Sequence, residues 1–117
     1  MAYIDGYVIP VLKSNRAAYL EAARFAAPIF KEHGALKVVE TWGDDVPKGT
    51  QTDFYMAVKC TEEENVVFSW IVWPDKATRD AGMAKAMADP RMQPGAAPMP
   101  FDGKRMIFGG FEVLLEA

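Results

Sequence analysis

The eight residues from Val66 to Trp73, VVFSWIVW, constrain this chain more than any other stretch. Read with a strand's period of two, Val67, Ser69, Ile71 and Trp73 share one face, and Val66, Phe68, Trp70 and Val72 share the other. Apart from Ser69 both faces are apolar. A chain of 117 residues, half of them hydrophobic, has the composition of one ordinary globular domain, residues 1–117, with one core. Its own helices can cover one side of such a strand, so the second side needs another cover.

The remaining elements follow from local signals. YIDGYVIPV, Tyr3 to Val11, reads as a strand with a bulge at Gly6 and Pro10 near its exit. Ser14 or Asn15 is placed to cap a helix from about Arg16 to His33, which stops at Gly34. ALKVVETW, Ala35 to Trp42, reads as the second strand. Residues Thr52 to Lys59 fit either a short helix or an edge strand. The Val66–Trp73 strand ends at Pro74, and Asp75 caps a second helix that runs to about Ala88. DPRMQPGAAPMP is too rich in proline and glycine to be regular, and a turn at Asp102-Gly103 leads into a last strand, Arg105 to Leu115. The order strand, helix, strand, strand, helix, strand is the α+β, ferredoxin-like βαββαβ arrangement, with both helices on one face of an antiparallel sheet.

The first helix has one apolar arc, formed by Tyr19, Leu20, Ala23, Ala26, Ala27, Ile29 and Phe30, with charged residues opposite. The other sheet face, by contrast, carries large apolar side chains from Val66–Trp73 and from MIFGGFEVLL, Met106 to Leu115. A patch of that size exceeds what soluble monomers ordinarily expose, so a homodimer is expected.

Composition excludes several functions. A net charge of −3 and a pI near 5.1 argue against a nucleic-acid partner, because phosphate neutralisation needs a basic patch. No apolar run approaches the roughly 20 residues of a membrane span, and MAYIDGY lacks the features of a signal peptide, so a cytoplasmic protein is expected. The single cysteine, Cys60, has no metal-ligand spacing and no catalytic pattern around it. GDDVPKG offers too few oxygens for calcium. Neither a metal nor a cofactor is expected.

The segments IDGYVIPV, GDDVP, VVFSWIVWP, ATRD, MADPRM and MPFDGKRMIFGGFE resemble, in one collinear order, the signature segments of the YbaA-like bacterial proteins. That is a family of unknown function within the dimeric α/β-barrel superfamily. The resemblance implies a ferredoxin-like protomer whose sheet packs on a second sheet to form a barrel. The superfamily includes cofactor-free quinol monooxygenases, haem-degrading enzymes, muconolactone isomerases and plain ligand-binding domains, so the fold alone assigns no reaction. This chain departs from the family at Tyr55, where relatives tend to have proline, and at Met83, where asparagine is frequent.

Two side chains suit proton transfer. His33 falls inside the apolar arc of the first helix, either as a general base or haem ligand or as a half-buried residue favoured by the helix C-terminus. Asp80 falls on the second helix among Ala77, Ala81, Met83, Ala84, Met87 and Ala88, the arc expected to face the sheet. A carboxylate there requires a partner, either the adjacent Arg79, which points some way around the helix, or Arg105 or Lys104 across the fold, or else a ligand. Tyr7, Trp42, Ser69, Trp70, Met83 and Arg105 are the candidate lining of a cavity for a small apolar or planar molecule. Two functions remain open: a homodimeric binding module, or a cofactor-free monooxygenase or isomerase in which Asp80 or His33 moves a proton.

Overall fold

The computed structural model of the protein describes residues 1–93, 95 and 99–117. Strand β1 spans Tyr3–Leu12, helix α1 Arg16–Glu32, β2 Lys37–Glu40, a one-turn helix α2 Phe54–Ala57, β3 Glu64–Trp73, helix α3 Lys76–Ala88 and β4 Ile107–Glu112. The expected βαββαβ order is present, with α2 added between β2 and β3. The four strands form one antiparallel sheet in the order β2-β3-β1-β4.

The segment that fitted two structures is helical because Asp53 caps it: its carboxylate accepts from the Met56 amide at 2.7 Å. Asp75 caps α3 in the same way, accepting from the Thr78 amide at 2.7 Å. Asn15 precedes α1 without capping it, and its side-chain amide instead donates to the Pro100 carbonyl at 3.3 Å. No bulge forms at Gly6, which pairs in continuous register with Trp70 on one side and Gly109 on the other. The proline-rich stretch holds a 3-10 turn at Pro90–Met92, while its residues 94 and 96–98 lie outside the described residues.

Register sorts the strand residues into two faces. Tyr3, Asp5, Tyr7, Ile9, Val67, Ser69, Ile71 and Trp73 face the helices, and all but Tyr7 are buried. Trp73 is fully buried against α3, which has a consequence for that helix's rotation. A Cβ at Gly82 would collide with the Trp73 ring and the His33 carbonyl, so the small residue must sit over the tryptophan. Gly82 and Ala86 are therefore the buried positions of α3, with Thr78, Arg79 and Met83 half-buried beside them. The expected arc was rotated from this one: Ala77, Ala81, Ala84, Met87 and Ala88 are exposed, and so is Asp80.

The opposite face is apolar and open. Phe68 is 46% and Phe111 60% exposed there, with Trp70 half-buried between β1 and β2. Phe54 of α2 packs edge-on against Phe68 at 6.0 Å and covers only its end.

Candidate functional site

On the helix face one row of residues crosses the whole sheet. Glu40 lies opposite Ser69, Ser69 opposite Tyr7, and Tyr7 opposite Phe108, so β2, β3, β1 and β4 each contribute one member. Tyr7 stacks on Phe108 with ring centroids 6.1 Å apart. Helix α1 lowers Tyr19 onto this row, and the Tyr19 hydroxyl donates to Glu40 Oε1 at 2.6 Å. Phe101 packs edge-on against Tyr19 at 5.8 Å. Trp42, two residues beyond Glu40, packs against the same cluster of Ile9, Val11, Tyr19 and Val67 that Tyr7 touches. The Arg16 guanidinium lies 5.3 Å over the Trp42 ring.

The electrostatics of this row follow from its crowding. Burial pushes the Tyr7 hydroxyl up to about 12, with the Asp5 charge adding to the shift. Burial also pushes Tyr19 up, reinforced by the Glu40 carboxylate. Glu40 as a residue is exposed, yet its carboxyl end is surrounded by protein. That desolvation raises its pKa above the usual carboxylate value, against the opposing hydrogen bonds from Tyr19 and Ser69. The result is a largely enclosed carboxyl group that accepts from the Tyr19 hydroxyl and lies among aromatic rings.

The candidate residues divide among several places. Tyr7, Ser69 and Trp42 meet on this row. Met83 packs on the neighbouring core cluster of Tyr3, Ala35, Ile71 and Trp73, which Tyr7 also touches. Trp70 lies on the opposite, open face. Arg105 forms a two-pronged pair with Glu64, at 2.7 and 2.6 Å, near the end of β3 and away from Asp80. Asp80 does not face the sheet: its side chain is 48% exposed and pairs with Lys76 at 2.7 Å and Arg79 at 3.0 Å. His33, at the end of α1, meets Asp89 at 3.2 Å. The two residues considered for proton transfer thus hold separate partners.

The buried acid of the helix face is Asp5. Its carboxylate accepts from Trp73 Nε1 at 2.9 Å and from Arg79 Nη2 at 2.8 Å. Arg79 in turn lies 5.1 Å over the Tyr3 ring. Gly110, paired with Asp5, leaves room for this group, because a Cβ there would come within 2.8 Å of Arg79 Nη2. Glu40, Tyr19 and Arg79 were not among the candidate site residues. Alternation along β2 carried the signal for Glu40, since Val38, Glu40 and Trp42 must share a face.

Two open grooves flank these features. One, of about 240 Å³, is lined by Trp42, Val46, Phe54, Val66 and Phe68 with Asp44 and Asp45 at its rim. The other, of about 330 Å³, is of mixed polarity and includes Lys13, Lys48, Tyr55 and Cys60. Burial raises the Cys60 thiol, as does the nearby Glu64, so it is not an activated nucleophile. Among the described residues no group of His, Cys, Asp and Glu is arranged to hold a metal ion, and no helix is long and apolar enough to cross a membrane.

Comparison with known proteins places this architecture. The chain is 56% identical over 116 residues to the uncharacterized protein YbaA of Escherichia coli K12 and equally to that of Shigella flexneri, covering 99% of each chain. A solved structure, described as a dimeric ferredoxin-like protein from an uncultured marine organism, matches along 100% of both chains with a TM-score of 0.62 at 12% identity. The family described as "Protein of unknown function (DUF1428)" matches residues 2–103. The chain therefore belongs to the DUF1428 family, with YbaA as a full-length relative and a ferredoxin-like fold.

Proposed function

We propose that the protein is a cytoplasmic homodimer in which each protomer binds a small planar molecule on the helix face of its sheet, beside Glu40, Tyr19, Tyr7 and Trp42. The observation that carries the binding site is the cross-sheet row, which gathers a desolvated carboxylate, two hydroxyl-bearing rings and a tryptophan in one place. Ligand sites combine these ingredients: apolar walls with a few converging polar groups. The dimer is supported by the open face, where the described residues of the protomer leave Phe68, Trp70, Ile107 and Phe111 as a partly exposed apolar surface. The marine ferredoxin-like protein is itself described as dimeric. One unpaired thiol, Cys60, suits a reducing compartment.

An oxygenase or isomerase reading has less behind it. It needs Asp80 or His33 as a base beside a cavity, whereas Asp80 is held by Lys76 and Arg79 on the exposed side of α3 and His33 meets Asp89 at the end of α1. Native mass spectrometry of the protein purified without denaturant tests the binding function. The expected spectrum is a dimer carrying one additional small mass per protomer, released by organic solvent. Dimer that stays bare after incubation with a panel of quinones, phenols and flavins would contradict it.

A further inference from the structure

The groove of about 240 Å³ beside Trp42, Phe54 and Phe68 is shaped by a loop that is pinned along its length. The Thr41 hydroxyl donates to the Phe68 carbonyl, the Gly43 amide to the Val66 carbonyl at 2.9 Å, and the Asn65 side-chain amide to the Gly43 carbonyl at 2.8 Å. A Cβ at Gly43 would come within 2.6 Å of Asn65 Oδ1, so glycine lets this segment lie on β3. Farther along, the Tyr55 hydroxyl donates to the Val46 carbonyl at 3.5 Å and Asp53 accepts from the Gly49 amide at 2.9 Å, which ties the loop to α2. Three aromatic residues, Asp44 and Asp45 thereby border one opening.

Charge and solvation narrow the occupant. The other groove sets Lys13 and Lys48 against Glu62 and Glu64, whereas no lysine or arginine lines this one. Among the described residues Asp44 and Asp45 form no ion pair. The rim therefore attracts a cation and repels an anion. A metal ion or a primary ammonium needs several acceptor oxygens, which walls made of Trp42, Val46, Phe54, Val66 and Phe68 do not supply. A quaternary ammonium has no N–H to satisfy, its methyl groups pack on apolar surface, and its charge is drawn to aromatic faces. We propose that this groove binds a small quaternary ammonium ion, its cationic head among Trp42, Phe54 and Phe68 and its counter-charge supplied by Asp44 and Asp45. The site is distinct from the helix-face site: Tyr7, Tyr19 and Glu40 do not line the groove, and Trp42 is the residue the two share. Phe68 also belongs to the open face, so the groove lies at the margin of the proposed interface.

The test compares choline with its neutral analogue, in which a tert-butyl group replaces the trimethylammonium. Each is titrated at low ionic strength into isotope-labelled wild-type protein and followed through the amide and tryptophan indole NMR signals. Choline is expected to bind about tenfold more tightly than the analogue, with its shifts concentrated at Trp42, Gly43, Val46 and Phe54. Asp44→Asn combined with Asp45→Asn, at two exposed positions, is expected to weaken choline about threefold and to leave the analogue unchanged. Phe54→Leu keeps an apolar wall without a ring and is expected to weaken choline by about the same factor. Equal binding of the two compounds would mean that the groove takes a neutral occupant. Absence of shifts at these residues would mean that a second copy of the chain, or nothing, fills it. Choline affinity unchanged in both variants would mean that the cation binds elsewhere. Each of these results overturns the proposal and leaves the helix-face site standing.

Discussion

The two faces of the sheet solve the same burial problem differently. On the helix face, polar groups are admitted and each is answered. Asp5 holds Arg79 and Trp73, Glu40 holds Tyr19, and among the described residues no buried side-chain nitrogen or oxygen lacks a hydrogen-bond partner. On the open face, the β3 side chains from Val66 to Val72 and the β4 side chains Ile107 and Phe111 are apolar, and Phe111 remains 60% exposed in the protomer. A face that must hold a helix in one rotation and place a carboxylate uses directional bonds. A face whose centre is apolar matches another surface of its own kind, as sheets packed face to face do.

The sharpest way to break this comparison is to put a charge on each face of the same strand. Ile71→Asp, on the helix face, is expected to unfold the protein, since an unpaired carboxylate in that core costs several kcal/mol. Phe68→Asp, three residues earlier on the open face, is expected to abolish association while circular dichroism still reports a folded chain. If Phe68→Asp also unfolded the chain at all concentrations, or left association intact, the two faces would not differ as described.

A smaller contrast lies within the acids of the Arg79 network. Asp5→Asn leaves Arg79 without its buried counter-charge and is expected to lower the unfolding free energy in urea by about 3 kcal/mol. Asp80→Asn alters an exposed pair and is expected to leave the urea midpoint nearly unchanged. Equal effects would mean that Asp5 and Asp80 share the arginine on the same terms.

That contrast also shows what could be read from the chain and what could not. The element order, the two-faced β3 strand, the Asp75 cap and the ferredoxin-like fold were legible because alternation, capping and turn signals are local. The rotation of α3 was not. Its alanines and methionines mark no unique stripe, and the choice is made by Trp73, whose ring requires Gly82 opposite it. Asp80 was misplaced for that reason, and Arg79, legible as a neighbour able to pair with Asp80, also reaches the sheet at Asp5, which no local signal indicates. At the candidate site, Tyr7 and Ser69 were accessible from strand alternation. The Tyr19–Glu40 bond was not, because no sequence rule brings a helix residue and a strand residue to 2.6 Å.

The smallest expected effect is a pH dependence with opposite signs at two glutamates. Hydrogen bonds from Arg105 hold Glu64 below its ordinary value of 4.5, so its contribution to stability is present above pH 4.5 and is lost as pH falls through its folded value. Glu40 is raised above 4.5 by desolvation, so ionising it disfavours the fold, and that penalty grows as pH rises from 4.5 through its folded value. Glu40→Gln is therefore expected to gain stability over the wild type as pH rises across this window, with the two converging below it. A difference of constant size at every pH would mean that Glu40 titrates alike in folded and unfolded chains.

The claim that the open face is an interface has one direct measurement, sedimentation equilibrium of the wild-type protein beside Phe68→Asp at micromolar concentration. The expected result is a wild-type mass twice that of the 13.0 kDa chain, falling to the single-chain mass in the variant. A folded wild-type monomer at 13.0 kDa would contradict it, because Phe68, Trp70 and Phe111 would then face water.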